Sequence, residues 1–179
     1  FSLEHDNSDY YLLLNNDTIC DQNIQSSFIK GIESYGSNHI FGGKILYQNT
    51  KNIIWYAGGK FGLLNLFISH KGIRNIDKDQ FNFNSETDYI TGCCLLISKH
   101  NFFKLKGFDE SFNMYGEDVD FCIRGKKLGM KCYYISGSKL WHSVSSSYGG
   151  HYSFSKHIAK FNSLLKLIIK YPKQLIFGK

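Results

Sequence analysis

Tyr10-Tyr11-Leu12-Leu13-Leu14-Asn15-Asn16-Asp17-Thr18 is a short continuous apolar run that empties into a polar turn. Apolar residues without alternation read as a strand buried on both faces and parallel to its neighbours. The loop at the carboxyl end of such a strand is where α/β sheets place ligands. A helix follows, with Ile24, Phe28, Ile29 and Ile32 at helical spacing and Gly36 behind them. Ile45 to Tyr47 and Asn52 to Tyr56 flank Gln48-Asn49-Thr50-Lys51 as a hairpin. Residues 69–87 carry mixed charge and little periodicity and read as a long loop, a length associated with function or mobility. Tyr89 to Ser98 reads as a strand broken at Gly92, Asn101 to Leu105 as a short helix, and Lys131 to Ile135 and Lys139 to His142 as two short strands. Strands alternating with helices predict an α/β layer architecture, a mixed sheet flanked by helices. A buried parallel strand ten residues into the chain needs neighbours on both sides, so we expect an N-terminal portion outside this sequence.

Met114-Tyr115-Gly116-Glu117-Asp118-Val119-Asp120 brings three carboxylates to the start of a second helix. One or two acids there are ordinary, because the helix dipole and free N–H groups favour anions by a few tenths to about 1 kcal/mol each. A third adds repulsion, so capping and chemistry both stand as readings. Val119, Cys122, Ile123 and Leu128 form the apolar stripe, Asp120 can pair with Arg124 at i,i+4, and Gly129 supplies the stop.

The 179 residues, 42% of them apolar, suffice for one packed domain. No apolar run reaches the roughly 18–20 residues of a spanning helix, and the first residues lack a signal pattern. The expectation is a cytoplasmic chain with five reduced cysteines packed as core thiols. Residues 1–150 carry fifteen basic and fifteen acidic side chains, whereas residues 151–179 carry six lysines and no acid. The whole net charge of +6 therefore lies in the tail. On a helical wheel Ile158, Phe161, Leu164, Leu165, Ile168 and Ile169 fall on one side, and Lys156, Lys160, Asn162, Ser163, Lys166 and Lys170 on the other, with Leu167 out of pattern. Such a helix can lie on an anionic membrane surface through residues 152–179, or pack on its own domain. Nucleic acid is disfavoured, because the aromatics do not interleave with the lysines.

Leu14-Asn15-Asn16-Asp17-Thr18, Tyr89-Ile90-Thr91-Gly92-Cys93-Cys94-Leu95-Leu96-Ile97, Gly107-Phe108-Asp109-Glu110-Ser111-Phe112, Tyr115-Gly116-Glu117-Asp118-Val119-Asp120-Phe121-Cys122-Ile123-Arg124 and Trp141-His142 resemble, in order and spacing, the motifs of family 2 glycosyltransferases. The similarity runs from about Tyr10 to Ser147 and is greatest to bacterial rhamnosyltransferase-like enzymes of surface polysaccharide synthesis. It implies a GT-A fold and inverting transfer from a nucleotide-diphosphate sugar to a saccharide or lipid-linked acceptor. On this reading residues 1–150 are the acceptor-side and metal-binding portion of the domain, and the nucleotide-binding strands precede them. Residues 151–179 form the basic tail, peripheral at the inner face of the membrane.

The resemblance also assigns roles. Asp17 matches the last Asp of the family's Asp-x-Asp motif and is a ligand for Mg²⁺ or Mn²⁺ held largely through substrate phosphates. Asn15 stands at the first position of that motif, where a neutral amide binds metal weakly or contacts the donor. His142, after Trp141, is a second metal ligand. Asp118 is the general base, Glu117 orients the acceptor, and Gly92 lets the donor sugar approach the backbone or simply marks a bulge. Taken alone, Asn15-Asn16-Asp17 is more often an Asx turn and a lone histidine such as His142 more often structural. A non-catalytic remnant or assembly subunit is the alternative to an enzyme. A glycoside hydrolase is disfavoured, since adjacent Glu117 and Asp118 cannot readily flank one bond at about 5–9 Å.

Overall fold

A computed structural model describes residues 7–50, 52–62, 67–112, 115–143 and 154–177. Lys51 of the hairpin turn, Met114 of the acidic motif, the end of the motif similarity at Ser147 and the start of the tail at residues 152–153 lie outside these, as does the side chain of Lys156.

Two long parallel strands, β3 (Ile40–Tyr47) and β9 (Cys132–His142), form the centre of a seven-stranded mixed sheet. Outside β3, β8 (Cys94–Ser98) pairs with its first half and β4 (Ile54–Tyr56) with its second, both antiparallel. Outside β9, β7 (Ser85–Thr87) pairs with its start and β2 (Thr18–Cys20) with its end, again antiparallel. The order along the main path is β1-β8-β3-β9-β2, with β1 (Tyr10–Leu14) at one end. A separate ribbon joins β5 (Gly59–Gly62) to β6 (Phe67–His70).

The strand buried on both faces is β3, not β1. Ile40 to Leu46 are all buried, whereas β1 is mostly half-buried and pairs antiparallel with β8 alone among the described residues. The apolar run at Tyr10 therefore has a different cause: Tyr11 packs edge-on to Phe102 and Phe103 of α2 (Lys99–Lys104). Helix α1 (Ile24–Tyr35) forms where its spacing predicts and ends at Gly36, φ 88°. Ile24 and Phe28 are buried, but Ile29 is exposed. The two short strands expected at 131–135 and 139–142 are one strand. Its register against β3 jumps from Gly43↔Ile135 to Lys44↔Lys139, leaving residues 136–138 as a bulge. Gly43 makes this possible, since a Cβ there would stand 2.1 Å from the Ser138 carbonyl oxygen.

Residues 69–87 are not one loop: they begin in β6 and end in β7, and the segment between is pinned. Lys44, fully buried on β3, sends its ammonium to Asp77 at 3.0 Å and to the amide oxygen of Asn82. A buried charge demands such partners, and here they come from the segment itself. Four of the five cysteines are buried and all are free, but Cys20 is exposed.

Helix α3 (Glu117–Lys127) carries Val119, Cys122 and Ile123 into the core, while Leu128 at its end is 46% exposed. The tail forms α4 (Phe154–Lys170) and α5 (Pro172–Phe177), and it is packed on the domain. Its inward seam is Leu167, Ile168, Tyr171 and Leu175, with Leu167 only 1% exposed. The residue out of pattern on the wheel is thus the anchor. Ile158, Phe161, Leu165 and Ile169 remain outside. Lys166 and Lys170, on the supposed free polar side, instead bond to the domain, at the Ser111 carbonyl and at Asp109 and Asp120.

Candidate active site

The antiparallel pairing of β2 with the end of β9 sets Thr18 opposite His142, and the Ser143 amide donates to the Asp17 carbonyl at 3.0 Å. This register brings the side chains together. His142 Nε2 lies 3.0 Å from Asp17 Oδ1 and 3.4 Å from Asn15 Nδ2. Burial lowers the pKa of His142, partly offset by the Asp17 carboxylate, which favours the neutral imidazole a metal needs. Trp55 meets the ring edge-on at 5.0 Å and restricts its orientation.

These residues fit a divalent cation. Two ligand atoms 3.0 Å apart can share one ion at bond lengths of about 2.0–2.2 Å, and an imidazole with a carboxylate suits Mn²⁺. The Asn15 amide would add an oxygen in its other orientation, since amide O and N are assigned from the bonding network. Among the described residues no third His, Cys, Asp or Glu joins the pair, so further ligands would come from phosphate and water.

Asp118 sits in the first turn of α3, behind Gly116 in the left-handed region at φ 87°. Its Oδ2 accepts the Gly92 amide at 2.9 Å and its Oδ1 the Val119 amide at 2.8 Å. Surrounding protein raises its pKa above the usual carboxylate value, against the pull of the Gly92 and Val119 amides and the Thr91 hydroxyl. The helix start therefore does not hold this carboxyl low, because desolvation outweighs it. Burial and the Asp118 charge likewise raise the pKa of Glu117, whose Oε2 is buried without a hydrogen-bond partner. Among the described residues only Asp118 comes near the side of Gly92 where a Cβ would stand, at 3.6 Å.

One turn, residues 91–94, joins the two groups. Gly92 holds Asp118, the next carbonyl, of Cys93, accepts the backbone N–H of Asn15 at 3.2 Å, and Cys94 is paired with Leu14. The buried Cys93 thiol, its pKa raised chiefly by burial, also feels the charges of both Asp17 and Asp118. Asn15, Asp17, Gly92, Asp118 and His142 thus gather at one end of the sheet. Asp120 turns away: its i,i+4 bond to Arg124 at 2.7 Å forms as expected, and the pair is internal.

A cleft of about 300 Å³ runs beside His142, lined by Tyr47, Gln48, Asn49, Thr50, Ile53 and Arg74. Arg74, which the motifs do not single out, is exposed there with φ 63°. In sequence it is one of three cations in the 69–87 stretch, with Lys71 and Lys78, and nothing there sets it apart from them.

A family model described as the N-terminal domain of galactosyltransferase matches residues 73–157. Rhamnosyltransferase WbbL of Escherichia coli (strain K12) is 28% identical over 151 residues, covering 82% of this chain and 55% of that protein. N-acetylglucosaminyl-diphospho-decaprenol L-rhamnosyltransferase of Mycobacterium tuberculosis is 36% identical over 61 residues, 34% of this chain and 20% of that protein. The chain thus spans about half the length of the E. coli relative. Among solved structures, GalNAc-T7 with UDP, GalNAc and Mn2+ matches with a TM-score of 0.63 over 90% of this chain and 31% of that one, at 12% identity. That likeness speaks for the fold. By sequence and fold together, the chain is similar to glycosyltransferases and has a GT-A-like mixed sheet, and the resemblance read from its ordered motifs is borne out.

Proposed function

We propose that residues 1–150 are the acceptor-side and metal-binding portion of a metal-dependent, inverting glycosyltransferase. It moves a sugar, rhamnose being favoured by the names of the relatives, from a nucleotide-diphosphate donor to a hydroxyl of a saccharide or lipid-linked acceptor in surface polysaccharide synthesis. The observation that carries this reading is the 91–94 turn, which ties the Asp17–His142 pair to Asp118 at one sheet end.

In this reading Asp17 and His142, with Asn15 beside them, would hold Mg²⁺ or Mn²⁺, which when bound would supply Lewis-acid neutralisation of the charge that grows on the departing phosphate oxygen. Asp118 takes the proton of the acceptor hydroxyl as its oxygen bonds the anomeric carbon and the carbon–phosphate-oxygen bond breaks on the opposite face, so the configuration inverts. The unpartnered Glu117 oxygen accepts a second acceptor hydroxyl, and the open space at Gly92 admits the sugar. Arg74 on the cleft rim offers a cation to a phosphate group.

The exposed apolar residues Ile158, Phe161, Leu165 and Ile169 support a peripheral seat on an anionic membrane, at the inner, cytoplasmic face. The direct test is transfer by the full-length protein from a nucleotide-diphosphate rhamnose with Mn²⁺. Product of inverted anomeric configuration, lost on chelation and restored by Mn²⁺, is expected; metal-independent transfer or retained configuration would contradict the reading.

A further inference from the structure

The basic tail grips the helix that carries Asp118, and it does so at one buried carboxylate. Asp120 is 0% exposed, and three groups converge on it, two from the tail and one from α3 itself. Its Oδ1 accepts the Lys170 ammonium at 2.6 Å and the Tyr171 hydroxyl at 2.7 Å, and its Oδ2 accepts Arg124 Nε at 2.7 Å. Arg124 goes on to the carbonyls of Leu105 and Gly107, and Lys170 also reaches Asp109 at 2.8 Å. One turn earlier, Leu167 packs so closely on Gly116 that a Cβ there would stand 3.0 Å from the leucine methyl. The tail therefore touches the residue that opens α3 and the residue two positions past Asp118.

Helix geometry gives this grip a direction. Residues two apart on an α-helix point about 200° apart around the axis. Asp118 therefore faces the Gly92 amide while Asp120 faces the tail on nearly the opposite side. The first turn of α3 is held from both sides. Charge reinforces it: Lys170 and Arg124 neutralise Asp120, relieving its repulsion of Glu117 and Asp118.

We propose that Lys170 and Tyr171 are positioning residues for the transfer reaction: through Asp120 they set the rotation of α3 and thereby seat Asp118 on the Gly92 amide. This rests on the reading of Asp118 as the base, but its test does not. The Gly92 backbone amide resonance in ¹⁵N-labelled full chain reports the bond to Asp118 and follows its ionisation with pH. Tyr171→Phe removes one hydroxyl and leaves the ring packed; Lys170→Met removes the ammonium; Lys170→Arg keeps the charge; Lys173→Met, at an exposed position of α5, is the control.

The expected result is a displaced Gly92 resonance in Tyr171→Phe and more so in Lys170→Met, with partial or complete loss of its pH step. Recovery in Lys170→Arg and no change in Lys173→Met are expected alongside. In transfer assays the same two variants lower kcat by about 10- to 100-fold, the scale of a base misplaced by about 1 Å, with KM for the donor unchanged. A Gly92 resonance that stays in place while the α4 amides of Lys170→Met exchange freely would overturn the proposal. Unimpaired transfer by Asp118→Asn would instead sink the base assignment, leaving the Gly92 result as it stands.

Discussion

Asp118 is under two opposing pressures, and their balance sets how it works. Burial raises its pKa, while the amides of Gly92 and Val119 and the Thr91 hydroxyl lower it, with burial prevailing. A base must be ionised to accept a proton, so transfer rises with pH through this raised value. The acid limb of kcat/KM is thus expected above the usual aspartate value of about 3.9. A limb at or below that value would deny Asp118 the role. Linkage gives the same sign: a carboxyl whose folded pKa is raised costs stability where it is charged, so Asp118→Asn should not weaken the fold at neutral pH. Little of this is legible from the acidic run itself. The run shows three acids at a helix start, and only the chain path, bringing Gly92 back across 26 residues, separates the one on the sheet side from the one under the tail.

Among the elements, β3 and β9 hold what periodicity reads least well. The spacing of apolar residues finds α1 and α3, and the hairpin of β3 with β4 follows from its polar turn. It does not find β9 as one strand, because Ser136-Gly137-Ser138 has the composition of a loop and serves as a bulge. Nor does it find what fixes the 71–84 segment, since a lysine in an apolar strand gives no sign of its partner. Lys44→Met leaves Asp77 without its cation and frees Asn82, so it should destabilise the fold by about 3 kcal/mol in urea unfolding and raise proteolytic nicking between Lys71 and Asn84. Unchanged stability together with an uncut segment would show that apolar contacts suffice there.

At the scale of the whole molecule, the tail is both part of the fold and a free surface. A helical wheel separates apolar from polar residues but cannot say which apolar face meets the domain. Leu167, Tyr171 and Leu175 are buried, and Lys170 is spent on Asp109 and Asp120, so removing the tail would expose core as well as remove any membrane contact. Substitutions on the outer stripe are cleaner. Phe161→Asp with Ile169→Asp should abolish sedimentation with vesicles of anionic phospholipid while leaving thermal stability within about 0.5 kcal/mol, since exposed positions are involved. Undiminished sedimentation would reject a lipid seat on this face. The ordered motifs made the family resemblance legible from sequence, and the fold then brought their residues to one sheet end. The cleft beside His142 is lined by residues such as Arg74 that belong to no motif, so the motifs did not make it legible.

The central claim is that Asp118 is the base of a metal-dependent transfer, and Asp118→Asn in the full-length protein tests it most directly. The variant keeps an oxygen for the Gly92 amide but cannot take a proton. We expect transfer to fall by about 10²- to 10⁴-fold while Mn²⁺-dependent nucleotide binding and thermal stability stay at the level of the parent. Transfer at the parental rate, or loss of folding or of nucleotide binding, would contradict the assignment.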